Sequence, residues 1–106
     1  MTQLTVVAKI KAKAGNEDLV HQELRHLIEP TLAEEGCTNY DLHCSIEDSS
    51  LFLFYENWAS RDSWEKHMQS DHIKVFQSNT DGAIESWELF LLKPDEAYAA
   101  SNKYLS

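Results

Sequence analysis

Leu51–Trp58 reads LFLFYENW, and this segment decides the fold. Its first five residues are apolar on both faces of an extended chain, which predicts a strand with neither face open to water. Ile84–Leu92 reads IESWELFLL and is apolar on both faces over its second half. Both strands therefore need a covering layer on each side of the sheet.

Two other segments alternate between apolar and polar residues. They are Gln3–Lys13, QLTVVAKIKAK, and Thr38–Ile46, TNYDLHCSI. Alternation with a period of two predicts strands that bury one face. The polar run EDSS, residues 47–50, is a hairpin turn between the second of these strands and Leu51–Trp58.

Apolar residues at helical spacing predict helices between the strands. Residues 17–35 carry one apolar stripe, within which Pro30 should kink or divide the helix. Residues 61–69 form a second helix and residues 72–78 a short third one. A break at Ser70, which can cap the third helix, separates the two.

The order strand, helix, strand, strand, helix, strand is that of the split βαβ unit, so we predict a ferredoxin-like α+β fold with an antiparallel sheet. The helices of such a fold cover one face of the sheet. A single domain over residues 1–94 has no further element for the second apolar face, so we predict a two-fold homodimer packed sheet against sheet. Residues 95–106 are predicted to form a C-terminal tail.

The composition argues against several partners. The 106 residues include 18 acidic and 9 basic side chains, and the net charge of −9 disfavours binding to nucleic acid or to an anionic membrane surface. No apolar run approaches the ~20 residues that span a membrane, and the N-terminus has no signal-peptide pattern. The spacing of Cys37 and Cys44 does not favour a disulfide, so we expect a cytoplasmic protein.

Three stretches carry a family resemblance: AKAGNEDLV (12–20), LIEPTLAEEGCTNYDLH (27–43) and FLFYENWASRDSWEKHMQSDHIKVF (52–76). Over Leu4–Leu92 the chain resembles the antibiotic biosynthesis monooxygenase family of dimeric α+β barrels. That family includes cofactor-free quinol and aromatic-polyketide oxygenases, haem-degrading enzymes and an isomerase-like enzyme of signal-molecule catabolism. The resemblance therefore implies one fold but leaves several reactions possible.

The haem-degrading branch is similar in using an asparagine on the first strand, a tryptophan on the second helix and an iron-ligating histidine on the third. Ala8, His67 and Gln77 stand at those positions. We therefore expect no haem. We also expect no metal, because the histidines lack the helical spacing of four and no clearly placed third ligand is visible. With three glycines and no phosphate-binding loop, a nucleotide cofactor is not expected either.

The resemblance implies a cofactor-independent monooxygenase that oxidises a small quinol or polyphenol with dioxygen. Such a reaction needs a base for the phenolic proton and an apolar pocket that holds dioxygen and excludes water. Histidine suits the base, because its ordinary pKa lies near neutral pH.

His67 and His72, in SWEKHMQSDHIKVF (63–76), are the strongest candidates for this base, because the helix break allows both to approach one concave space above the sheet. His43 is a further candidate, since the family often has a histidine there, and Tyr55 would orient the ring oxygen. The predicted substrate-binding residues are Trp64, Phe76, Asn57 and Trp58.

Other interpretations remain open. The chain could be an isomerase or detoxifying enzyme that acts on a small carbonyl compound with the same histidines, or a non-catalytic dimer that binds a small ligand. The histidines could also be structural, with one capping a helix and the other half exposed. Glu56, a carboxylate within an apolar run, should make a structural hydrogen bond or an ion pair across the dimer.

Overall fold

The computed structural model describes residues 3–95 and residue 97. Its elements follow the predicted order, with the first and the second helical regions each divided into two helices. In chain order they are β1 (Leu4–Ala12), α1 (Glu17–His26), α2 (Ile28–Leu32), β2 (Cys37–Cys44), β3 (Leu51–Trp58), α3 (Arg61–Met68), α4 (Asp71–Asn79) and β4 (Ile84–Leu92).

The four strands form one antiparallel sheet in the order β2-β3-β1-β4. β1 lies between β3 and β4, so that Ala8 is opposite Phe54 on one side and opposite Leu89 on the other. This topology confirms the predicted ferredoxin-like α+β fold.

The core lies between the helices and one face of the sheet. β1 supplies every second residue to it, as its alternation predicts, and β3 supplies large aromatic side chains. The buried apolar residues of the strands on this face are Val6, Ala8, Ile10, Ala12, Tyr40, Phe52, Phe54 and Trp58. Val20 and Leu24 of α1 and Ile73 and Phe76 of α4 pack against them from the helix side.

The helix layer does not extend fully over β4. Trp87, Leu89 and Leu91 share a face with buried residues of β1, yet they remain 38%, 36% and 37% exposed. The edge strand is therefore apolar but incompletely covered on the side where the helices lie.

The first helical region divides at Leu27, upstream of the predicted break at Pro30. Pro30 is the third residue of α2, within the first turn, where a backbone N–H has no partner inside the helix and its loss is tolerated. α2 ends at Leu32, earlier than the predicted end at residue 35.

The predicted break between α3 and α4 is confirmed at Ser70. The Ser70 hydroxyl oxygen accepts a hydrogen bond from the backbone N–H of Ile73 (3.4 Å) and caps α4. The same hydroxyl donates to the carbonyl oxygen of His67 (2.6 Å), so one side chain links the end of α3 to the start of α4. Ser60 caps α3 in the same way through the N–H of Ser63 (3.2 Å).

Most of the predicted C-terminal tail, residues 95–106, lies outside the described residues, so its boundary stays a prediction. Within the described part of the chain, no helix has the length and apolar character required to cross a membrane.

Gly36 connects the start of β2 to the start of α3. Its backbone has φ of +88°, and its carbonyl oxygen accepts a hydrogen bond from the N–H of Ala59 (2.7 Å). A Cβ at this position would lie 2.6 Å from the Cβ of Ser63. Only glycine fits both the left-handed backbone and the close approach.

We expect Gly36→Ala to lower the free energy of unfolding by about 3 kcal/mol, from backbone strain together with overpacking against Ser63. Gly82→Ala is the matched control, because Gly82 has φ of +78° but no atom within 4 Å of an added Cβ. The control should lose about 1 kcal/mol, the strain alone. Urea unfolding of both variants checks this, and equal losses would contradict the role of the close approach.

Candidate functional site

Three ionisable side chains meet where the turn after α2 approaches the junction of α3 and α4. The Oε2 atom of Glu34 lies 2.6 Å from Nδ1 of His67 and 2.8 Å from Nε2 of His72. Both imidazoles donate to this single oxygen when the carboxylate is ionised. The break at Ser70 makes the arrangement possible, because it turns the two histidines toward one another, with ring centroids 5.8 Å apart.

His67 is the most buried member of this cluster, with 1% of the residue exposed. Its ring centroid lies 4.8 Å from that of Trp58 and 5.4 Å from that of Tyr40. Burial lowers the pKa of His67, although its hydrogen bond to Glu34 acts in the opposite direction. The ring is therefore neutral near pH 7, with its proton on Nδ1 and a lone pair on Nε2.

Glu56 lies beneath the cluster, on the helix side of the sheet. It is 3% exposed, and its Oε1 atom accepts a hydrogen bond from the indole Nε1–H of Trp58 (2.9 Å). This is the structural hydrogen bond expected from the sequence. Burial raises the pKa of the Glu56 carboxyl to about 7, the bond from Trp58 lowers it, and the charge of Glu34 raises it further.

A cavity of about 350 Å³ lies between α4 and β4, beside the uncovered face of the edge strand. Phe76 and Trp87 form two of its walls, with ring centroids 5.9 Å apart. The other described residues that line it are Met68, Ile73, Gln77, Thr80, Asp81, Gly82 and Ile84. Apolar walls and a few polar groups are typical of a small-molecule site.

The cavity and the histidine cluster are neighbours but not one space. Among the described residues, the cavity lining includes neither His67 nor His72, although Met68 and Ile73 directly follow them in the chain. Gln77, which the family resemblance matched to the iron ligand of the haem-degrading branch, lines the cavity. An amide there offers hydrogen bonds rather than an imidazole nitrogen.

The structure brings together some predicted site residues and separates others. Phe76 lines the cavity, Trp58 packs on His67, and the partly buried Trp64 packs against the core. Tyr55, Asn57 and His43 lie on the opposite face of the sheet. Within a single chain, Tyr55 therefore lies on the face of the sheet away from the two histidines.

The three residues on the open face have different surroundings. Tyr55 is 43% exposed, and His43 is exposed with its Nδ1 atom 3.1 Å from the carbonyl oxygen of Asp41. Asn57 is buried and accepts a hydrogen bond from the Thr5 hydroxyl (2.6 Å) while it donates to Oδ1 of Asn39 (2.9 Å). Their predicted roles in catalysis and binding stay predictions.

Sequence reasoning missed Glu34 and Trp87. Glu34 lies in the quoted stretch 27–43, but no spacing rule connects it to histidines 33 and 38 positions later. The period of β4 does indicate that Trp87 lies on the face toward the helices. Its place in a cavity could not be predicted, because it depends on where the helices end.

The sheet with helices on one face and a cavity beneath its edge strand defines a small α+β domain of the ferredoxin-like class. The model of the antibiotic biosynthesis monooxygenase family matches residues 3–79. The chain belongs to this family.

The chain is also similar to individual proteins of known sequence or structure. The protein PA3566 from Pseudomonas aeruginosa superposes with a TM-score of 0.86 at 33% identity, covering 90% of this chain and 96% of that one. The Escherichia coli (strain K12) protein named "Probable quinol monooxygenase YgiN" is 26% identical over 101 residues, 86% of this chain and 97% of that protein. Mouse N-terminal EF-hand calcium-binding protein 1 is 29% identical over 66 residues, 62% of this chain but 18% of the relative.

The raised pKa of Glu56 predicts a pH-dependent stability. Its ordinary value is 4.5 and its folded value about 7, so the folded state binds the extra proton between these values. The contribution is complete below pH 4.5 and is lost as the pH rises through 7. Glu56→Gln should remove this dependence, because the amide oxygen can still accept the bond from Trp58.

From pH 5 to pH 8.5, the wild type should lose about 3 kcal/mol of unfolding free energy relative to Glu56→Gln. Urea unfolding at both pH values and one protein concentration measures the difference. Glu85→Gln, at an exposed glutamate of β4, is the control and should follow the wild type. Parallel pH profiles for the wild type and Glu56→Gln would refute the prediction.

Proposed function

We propose that the protein is a cofactor-independent monooxygenase that oxidises a small quinol or polyphenol with dioxygen, and that the substrate binds in the cavity between α4 and β4. Family membership and the likeness to the quinol monooxygenase relative support the reaction class. The observation that carries the proposal for this chain is the cavity itself, with its aromatic walls.

The size and lining of the cavity suit one small aromatic molecule. Its volume of about 350 Å³ lies at the lower end of the range for ligand sites. Phe76 and Trp87 offer ring faces to a planar substrate. Gln77, Thr80 and Asp81 place polar groups where the phenolic hydroxyls can be oriented. The apolar remainder suits dioxygen.

The proposed reaction balances without an added cofactor. A quinol that has lost a phenolic proton passes one electron to dioxygen, and the radical pair combines at a ring carbon to give a hydroperoxide. Loss of water from the hydroperoxide leaves a hydroxyquinone. The substrate supplies four electrons in total, one oxygen atom enters the ring, and the other leaves as water.

The proposed oxidation needs a base for the phenolic proton. His67 or His72 was predicted for this role, and that role stays a prediction because the described cavity lining contains neither. α4 connects the two places, since it carries His72 together with Ile73 and Phe76 of the cavity wall. A double substitution at the two histidines tests whether they act on the substrate or hold the helix.

Oxygen uptake with a panel of reduced quinols, on metal-stripped protein, tests the function. We expect enzyme-dependent uptake above autoxidation. Trp87→Ala should lower kcat/KM at least about tenfold, the loss of a stacking wall. Leu89→Ala is the matched control, because Leu89 lies on the same strand and face, is 36% exposed, and does not line the described cavity.

His67→Gln/His72→Gln belongs in the same experiment. Loss of kcat per folded protein, with KM unchanged, would support a base, whereas a loss of activity that only matches the loss of folded protein would support a structural role. Uptake at the autoxidation rate for every quinol would contradict the monooxygenase.

The proposal includes a homodimer formed through the open face of the sheet. This face exposes 43% of Tyr55, 44% of Phe90 and 48% of Leu92, beside a Lys9–Glu88 ion pair with an N–O distance of 3.8 Å. Apolar patches with a polar margin are typical of association surfaces. A second copy would cover these side chains and place the residues of its own open face against them.

Light scattering should give twice the mass of the chain for the wild type. Tyr55→Glu should give the monomer mass, because a charge at the centre of the face would be desolvated. Val75→Glu, at a 55% exposed valine on α4, should remain a dimer. A wild-type mass equal to one chain would contradict the proposed interface.

A cytoplasmic location, expected from the sequence, is the last part of the proposal. Cys37 and Cys44 are both free thiols in the structure. A reducing compartment keeps such thiols reduced.

A further inference from the structure

The Glu34–His67–His72 cluster has the atoms of a metal site. One carboxylate oxygen and two imidazole nitrogens, each from a different segment of the chain, all lie within 4.8 Å of one another. Neutral imidazole and carboxylate are the ligands that zinc, iron and related divalent ions prefer. The expectation of no metal rested on the histidine spacing and on the lack of a third ligand; Glu34 is a candidate for that third ligand, and the helix break removes the spacing constraint.

The distances are compatible with an ion once the ligand atoms, which all lie within 4.8 Å of one another, move by up to about 1.4 Å. Ligand atoms about 2.1 Å from a tetrahedral ion lie about 3.4 Å apart. The two N–O distances, 2.6 Å and 2.8 Å, are hydrogen-bond lengths and must each open by roughly 0.6–0.8 Å on this tetrahedral geometry. Glu34 and His72 can move, because 17% and 22% of their side chains are exposed.

His67 is the rigid member of the cluster, and His72 is the member that an ion can reach. His67 is fixed between the rings of Tyr40 and Trp58, so one nitrogen is held in place before an ion arrives. His72 lines a recess of about 190 Å³ between α1 and α4, together with His26 and Glu23. An ion can enter from this recess, and water can complete its coordination there.

We propose that Glu34, His67 and His72 bind one divalent transition-metal ion such as Zn²⁺, through Oε2, Nδ1 and Nε2 respectively. The ion replaces the two hydrogen bonds to Glu34, and each imidazole stays neutral because its proton moves to the other ring nitrogen, Nε2 of His67 and Nδ1 of His72. It joins the turn after α2 to both α3 and α4 and so fixes α4, which forms a wall of the neighbouring cavity. The proposed oxidation uses no metal, although its predicted base, His67 or His72, is one of the ligands here.

Calorimetric titration of the tag-free, metal-stripped chain with ZnCl₂ tests the proposal. We expect one ion per chain. Glu34→Gln and His72→Gln should each weaken binding at least about tenfold, because each removes a direct ligand. Glu35→Gln, next to Glu34, and His43→Gln, on the opposite face of the sheet, are the controls and should bind like the wild type.

Two further measurements, the Tm and the Co²⁺ absorption spectrum, distinguish a variant that has lost the metal site from one that has failed to fold. Zn²⁺ should raise the Tm of the wild type and of both controls but not of His72→Gln. Co²⁺ should give the visible absorption bands of a low-coordinate nitrogen–oxygen site in the wild type and lose them in Glu34→Gln. No saturable binding, or binding that His43→Gln removes and His72→Gln leaves intact, would overturn the site.

The two proposals fail separately. Because oxygen uptake is measured on the metal-stripped chain, a metal site without uptake would remove the monooxygenase alone. Uptake without saturable Zn²⁺ binding would remove the metal site alone and leave the cluster as a hydrogen-bond network.

Discussion

One oxygen atom of Glu34 joins the part of the chain before the β2–β3 hairpin to the part after it. Its two bonds to His67 and His72 fix the angle at which α4 leaves α3, and α4 in turn forms a wall of the cavity. A carboxylate that is mostly removed from water needs hydrogen bonds in its place, and these imidazoles provide them. The position of the cavity therefore depends on a contact that lies outside it.

Polar groups are concentrated beneath the helices of this small domain. Trp58 has a central place, since its ring packs on His67 and its indole N–H donates to Glu56. Such a cluster restricts how the aromatic core can pack, because a shifted ring would leave a buried donor or acceptor without a partner. We interpret the cluster as a source of a single packed arrangement rather than of large net stability.

The sequence predicted the strands and helices better than it predicted the contacts between them. Alternation identified β1 and β2, helix spacing identified α1, and the serines at positions 60 and 70 marked two helix starts. It could not say which face of FYENW meets the helices, because both faces read as apolar or aromatic. It could not find Glu34 either, since the contact with His67 spans 33 positions and depends on the tertiary fold.

β4 has a consequence beyond the cavity. It is one of the two edge strands of the described sheet, its only neighbour among the described strands is β1, and it carries large apolar side chains on both faces. Free backbone donors and acceptors beside such side chains can template the addition of a foreign strand. Correct folding of this chain therefore competes with edge-to-edge aggregation. The net charge of −9 opposes this aggregation, because chains of like charge repel one another.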